Sequence, residues 1–241
     1  MFQKIYDSLL TLAYPQICHV CSTESVETSR NGVACRKCWL KTRIFSGGET
    51  LCAKCSAFLQ AKPSNFQALC HKCDTHFYDA AHAVGLYENA MVASVIHLKQ
   101  EPFVCRHLKN LFISAFEHSP FQDVGLIIPV PLSKKRFLER GFNQAEVLAE
   151  ILAKKFNLKI DKQSLARTVH TPVHRAAMDR RARELTVENA FEVERPKLVK
   201  GEKILLIDDV FTSGATSSVC AKALKKKGAD KVYVLTLARA I

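Results

Sequence analysis

Ile204-Leu205-Leu206-Ile207-Asp208-Asp209-Val210-Phe211-Thr212-Ser213-Gly214-Ala215-Thr216 contains a run of four apolar residues, a pair of acids and a hydroxyl-rich turn. The apolar run predicts a strand buried on both faces. The turn opens onto Ala215–Lys227, which reads as a helix. Each part has a chemical use. A helix start offers unpaired N–H groups and the positive end of a dipole to a phosphate. Thr212, Ser213 and Thr216 add hydroxyl donors, and Gly214 lets the backbone come close and adopt conformations other residues resist. Asp208 and Asp209 are acceptors suited to neighbouring ribose hydroxyls or to a magnesium ion through water. The plainer reading is a strand that ends in an Asx-type turn with a capped helix. It leaves two adjacent acids at the end of a buried strand with nothing to do.

The surrounding sequence repeats this alternation. Strands are predicted at Ala83–Tyr87, Leu126–Pro131, Lys203–Asp208 and Lys231–Leu237, with helices at Ala90–Gln100, Val104–His118 and Asn143–Phe156. Apolar strands separated by helices imply an α/β fold with a parallel sheet covered on both faces, which takes ligands at the carboxyl ends of its strands.

Residues 1–80 are different in kind. They hold eight of the ten cysteines, as Cys18/Cys21, Cys35/Cys38, Cys52/Cys55 and Cys70/Cys73, each pair Cys-x-x-Cys, with 13, 13 and 14 residues between pairs. Such a turn aims two thiolates at one point, and two turns complete a tetrahedral shell that suits zinc. Eight ligands make two structural sites, with no coordination position left open for catalysis. Sequential pairing is the simplest; a crossed pairing remains open. A disulfide scaffold, an iron–sulfur cluster and a redox dithiol are the competing readings. His19, His71 and His76 lie near the pairs, and Cys105 and Cys220 lie outside the pattern. The boundary between the cysteine module (1–80) and the α/β domain (81–241) falls near 75–82.

The chain has 241 residues, 48% of them hydrophobic, and a formal charge of +12. Residues 134–183 hold thirteen basic residues against five acidic ones, a field that attracts polyanions without separating nucleic acid from a phosphorylated metabolite. No apolar run reaches the roughly 18 residues that span a bilayer. The first 18 residues are too polar for a signal peptide; Phe2, Ile5, Leu9 and Leu12 predict a short amphipathic helix there. Cytoplasmic residence is the expectation.

The 204–216 segment resembles the phosphoribosyl pyrophosphate (PRPP) signature of type I phosphoribosyltransferases, with Ser213 at the second Thr position. A second segment narrows the resemblance. Ile128-Pro129-Val130-Pro131, then Lys134-Lys135-Arg136, then Arg140-Gly141-Phe142-Asn143-Gln144 is similar to the corresponding stretch of ComF-type proteins, which join a cysteine module (a double zinc ribbon) to a phosphoribosyltransferase domain. The resemblance implies that Asp208 and Asp209 hold the ribose hydroxyls with Mg2+. It implies that Thr212, Ser213, Gly214, Ala215 and Thr216 hold the 5′-phosphate, and that Lys134, Lys135, Arg136 and Arg140 form a pyrophosphate loop. Residues 167–185 stand where type I enzymes carry a lid. There Arg175, Arg180, Arg181 and Arg183 are candidates for polyphosphate or nucleic-acid contact, while His174 and Thr186 depart from the family's Gln and Asn. ComF-type proteins assist natural transformation, so the implied partners are PRPP, single-stranded DNA and the DNA-uptake machinery of the inner membrane. A metabolic transferase that passes phosphoribosyl from PRPP to an unknown acceptor is the alternative.

Overall fold

The computed structural model describes residues 16–59, 69–70, 73, 75–168 and 190–240. The amphipathic N-terminal helix and the Arg175–Arg183 lid expected from sequence lie outside these residues, as does His71.

In chain order the elements are β1 (Gln16–Ile17), β2 (Ser25–Val26), α1 (Thr28–Asn31), α2 (Arg36–Leu40), β3 (Ala80–Leu86), α3 (Asn89–Leu98) and α4 (Arg106–Glu117). There follow β4 (Leu126–Pro129), α5 (Lys134–Arg140), α6 (Gln144–Phe156), β5 (Lys159–Ile160), β6 (Leu165–Arg167), β7 (Phe191–Val193), α7 (Pro196–Val199), β8 (Lys203–Phe211), α8 (Ala215–Lys226) and β9 (Lys231–Arg239). The expected parallel sheet is present, with five strands in the order β3-β9-β8-β4-β5 and every pairing parallel. β6 and β7 form a separate antiparallel pair that the sequence did not announce.

Alternation along β8 divides the core in two. Leu205 and Ile207 pack with residues of α3, α4 and α6 on one face. Ile204 and Leu206 pack with α8 and the β6–β7 pair on the other. All four are fully buried, which is why the run contains no polar residue. α6 is held by local chemistry: the Asn143 side chain accepts from the Ala145 N–H, Glu146 sits in the first turn, Lys154 and Lys155 in the last, and Asn157 closes it in the left-handed region.

β3 forms one edge of the sheet, and the cysteine module wraps that edge. Phe45 N–H bonds to Val84 O, Leu86 N–H to Arg43 O and Ala81 N–H to Lys54 O. An edge covered in this way offers no template to another chain. Gly85 permits the approach, because a Cβ there would lie 2.4 Å from Arg43 O. The first cysteine group packs into the α3–α4 face and the second into the α8 face. Among the described residues, no helix is long and apolar enough to cross a membrane.

Candidate functional site

The cysteines form two groups in sequential pairing, Cys18/Cys21/Cys35/Cys38 and Cys52/Cys55/Cys70/Cys73, with the sulfurs of each group within 4.8 Å of one another. Sulfur separations of 3.8 Å (Cys18–Cys38), 3.9 Å (Cys21–Cys35), 3.7 Å (Cys52–Cys73) and 3.6 Å (Cys55–Cys70) match the edge of roughly 3.8 Å that bonds of about 2.3 Å give a tetrahedron. All ten cysteines are unpaired by disulfides.

Donors reach several of the sulfurs, while burial and the neighbouring thiols raise Cys38 and Cys73. Cys18 Sγ accepts from the Val20 and Cys35 N–H groups, Cys52 Sγ from the Cys70 N–H, and Cys21 Sγ from the Thr23 hydroxyl. The Thr23 hydroxyl, with the Thr23 and Glu24 N–H groups, lowers Cys21 to about 6. Burial opposes ionisation of Cys52, yet the Cys70, Cys55 and Lys54 N–H groups bring it to about 7. The donor sets fit two structural zinc ions. Among the described residues, histidine is in neither set; the His76 ring instead shares a 2.6 Å hydrogen bond with the Tyr78 hydroxyl.

β8 carries the acid pair near its carboxyl end, with Val210 and Phe211 still paired to β9 before the hydroxyl turn. Gly214 takes φ +77° as the residue before α8, and it is buried while Thr212, Ser213, Ala215 and Thr216 are exposed. Ser213 Oγ accepts from the Ala215 N–H at 3.4 Å. The start of α8 therefore faces solvent with its N–H groups and hydroxyls, as anion binding requires. The turn rests on the second cysteine group. A Cβ at Gly214 would meet Phe211 Cζ at 2.6 Å, Tyr78 Oη at 3.0 Å and His76 Cε1 at 3.2 Å. The Phe77 N–H also bonds to Ser218 Oγ in the first turn of α8, and Lys54 Nζ donates to His76 O at 2.8 Å.

Both acids already have partners within the protein. Asp208 Oδ1 accepts from the Asp209 N–H, and Asp209 Oδ1 from the Val210 N–H. Asp209 Oδ2 lies 3.0 Å from Lys99 Nζ and 3.5 Å from Gln144 Nε2. Burial, then the charge of Asp209, pushes the Asp208 carboxyl up to about 8. Burial and the Asp209 charge therefore favour the protonated form of Asp208 in the ligand-free protein.

The segment 131–143 is not the open loop the sequence suggested. Ser133 caps α5 through Arg136 N–H, and Gly141 closes it at φ +77°. Lys134, Lys135 and Arg136 project from this exposed helix. Among the four basic candidates, Arg140 is tied to the acid pair, donating to Gln144 Oε1 at 2.8 Å. Asn143 anchors the segment through Val130 O. Lys99 and Gln144 are the site residues that sequence reasoning passed over or left without a role. Gln144 stood in a quoted motif; Lys99 gave no signal. Two surface cavities of about 580 and 620 Å3 lie elsewhere, one at the amino ends of β4 and β5, the other between α4 and α6. Neither includes the acid pair.

No protein-family model matches the chain. Relatives do. DNA utilization protein YhgH of Escherichia coli O6:H1 is 35% identical over 115 residues, 48% of this chain and 49% of YhgH. Competence protein F of Haemophilus influenzae is 36% identical over 117 residues, 47% of this chain and 50% of that protein. In both cases the match spans about half the relative's length. Competence protein ComFC of Bacillus subtilis is 27% identical over 216 residues, 85% of this chain and 83% of ComFC. Among solved structures, the glutamine PRPP amidotransferase of B. subtilis, complexed with ADP and GMP, overlaps 70% of this chain and 31% of its own, at 16% identity and a TM-score of 0.36. Two cysteine tetrads stand ahead of a parallel sheet, in a chain that is similar to competence protein ComFC over most of its length and to competence protein F and YhgH over about half of it.

Proposed function

We propose that this protein binds PRPP with Mg2+ at residues 208–216 and assists the handling of single-stranded DNA in natural transformation. The observation that supports it most is the junction of β8 and α8, where an acid pair and a hydroxyl-glycine turn meet at the carboxyl end of a central strand. The 5′-phosphate lies against Thr212, Ser213, Gly214, Ala215 and Thr216; Asp208 and Asp209 serve the ribose hydroxyls and the cation. Mg2+, when bound, neutralises diphosphate charge. Arg140, and the exposed Lys134, Lys135 and Arg136 of α5, supply positive charge from the side of β4. The same cations, with Arg175, Arg180, Arg181 and Arg183, suit a phosphate backbone contacted without base readout.

Calorimetry with Mg2+ and PRPP tests the first half. Saturable binding that is abolished in Asp208→Ala/Asp209→Ala supports it; no binding by the wild type ends it. Labelled single-stranded DNA titrated at several salt concentrations tests the second. Binding that weakens steeply as salt rises is expected, and absence of binding near 50 mM salt (on the order of the low-salt regime) refutes it. Release of pyrophosphate with some nitrogen acceptor assigns the site to a metabolic transferase instead.

A further inference from the structure

Lys99 is the residue after α3, and its position is fixed. Its backbone N–H bonds to Val95 O and Ile96 O, both at 3.1 Å, and Met91, Val95 and Leu98 of α3 are fully buried. β3 ends level with Phe211 through their common neighbour Arg239, and the Lys99 ammonium reaches Asp209. Both ends of α3 therefore lie at the carboxyl edge of the sheet. The stem is anchored, while the four-carbon side chain remains a third exposed and able to sweep.

The ammonium sits 3.0 Å from Asp209 Oδ2. The same oxygen faces Gln144, which in turn holds Arg140. Lys99 thus meets Asp209 directly, while Arg140 of α5 is linked to it through Gln144. Asp209 is about one-tenth exposed, and a carboxylate that deep is costly to leave unpaired. When a sugar hydroxyl or a cation engages Asp209, the lysine loses its partner while still within reach of whatever negative charge the ligand brings.

We propose that Lys99 is a positioning residue that neutralises Asp209 in the ligand-free protein and moves to a diphosphate oxygen when a sugar diphosphate binds. This rests on the PRPP reading of the site and deepens it: Lys99 distinguishes ligands that carry the diphosphate from those that carry only the 5′-phosphate. A compact ammonium on a flexible stem suits such an exchange better than a guanidinium fork.

The test compares wild type, Lys99→Met and Lys99→Arg by calorimetry with Mg2+–PRPP and with ribose 5-phosphate, after thermal melts establish that each variant is folded. A charge-assisted hydrogen bond is worth roughly 1.5–3 kcal/mol, or about ten- to hundredfold in affinity. Lys99→Met is expected to weaken PRPP by about that factor while ribose 5-phosphate stays within about twofold or tightens, because Asp209 is freed. Lys99→Arg is expected to restore part of the PRPP affinity. Equal weakening of both ligands overturns the proposal and reduces Lys99 to a structural prop. Unchanged PRPP affinity in Lys99→Met also overturns it. If wild type binds neither ligand, the reading of the site fails and this inference falls with it; if wild type binds both and the variants do not discriminate, only the inference fails.

Discussion

Gly214→Ala separates backbone conformation from packing at the turn that precedes α8, with Gly201→Ala as its control. Both glycines take φ +77°. A Cβ at Gly201 meets nothing within 4 Å, whereas a Cβ at Gly214 meets Phe211 Cζ at 2.6 Å, Tyr78 Oη at 3.0 Å and His76 Cε1 at 3.2 Å. The left-handed conformation costs an alanine about 1–2 kcal/mol at either position. At Gly214, relief of the clash requires Phe211, Tyr78 or His76 to shift. Phe211 is packed edge-on against Tyr78 at 5.8 Å and lies under the Arg239 guanidinium at 5.0 Å. Tyr78 cannot move without losing its hydrogen bond to His76. Overpacking of this kind adds about 1–3 kcal/mol. In urea denaturation of the zinc-loaded protein, Gly201→Ala is therefore expected to lose about 1–2 kcal/mol. Gly214→Ala is expected to lose about 2–5 kcal/mol, with weakened PRPP binding. Equal losses in the two variants refute the packing argument, and with it the claim that the second cysteine group buttresses the turn.

The same contact predicts an asymmetry between the metal sites. Cys38→Ser and Cys73→Ser are each expected to reduce zinc from two ions per chain to one, read by elemental analysis. Only Cys73→Ser is expected also to weaken PRPP binding, since the second group adjoins Tyr78 and His76 while the first packs on the opposite face. The Asp208 carboxyl supplies a pH signature. Between the ordinary value of 3.8 and about 8, the folded protein holds a proton that the unfolded chain has released, so ligand-free stability falls as pH rises through that window. Asp208→Asn is expected to flatten the decline, measured by chemical denaturation at intervals across it; an unchanged slope refutes the assignment.

The fold was legible in Ile204–Ile207 because a strand buried on both faces admits no polar residue, and the structure buries all four completely. Two four-cysteine sites were legible too, but near-equal gaps of 13, 13 and 14 residues left sequential and crossed pairing open, and the structure selects the sequential one. What the gaps do not encode is that the two groups lie on opposite faces of one sheet. That follows from β3 being an edge strand, and edge position depends on how distant strands assort. The α5 helix was misread as a loop although its signals were present, Ser133 before it and Gly141 after it. The basic residues between them drew the reading toward ligand chemistry instead. Lys99 was illegible for a deeper reason. A lone lysine after an apolar helix is ordinary, and its meaning arises only from where α3 ends relative to a strand more than a hundred residues later in the chain.

The ligand-free site is already electrostatically satisfied, which constrains how it works. Burial and the neighbouring charge favour the protonated form of Asp208, and Asp209 is paired with Lys99. The protein thus avoids holding two adjacent, unpaired carboxylates at the end of a buried strand, an arrangement whose cost would fall on stability. The consequence appears on binding. Under the proposed reading of the site, a ligand that brings only hydroxyls breaks the Lys99 pair without compensation and is expected to bind weakly. A ligand that brings hydroxyls, a divalent cation and a diphosphate offers each displaced group a new partner: the cation for Asp208 and Asp209, the phosphate oxygens for Lys99. Selectivity for the diphosphate over the simple sugar phosphate then requires no rigid pocket, in keeping with the open surface around residues 212–216. It also requires that a proton leave Asp208 as the cation enters. Calorimetry at pH 7 in buffers of different ionisation enthalpy is accordingly expected to register net proton release on binding of Mg2+–PRPP and little for ribose 5-phosphate alone. Equal proton release for both ligands refutes this account of how the acid pair is charged.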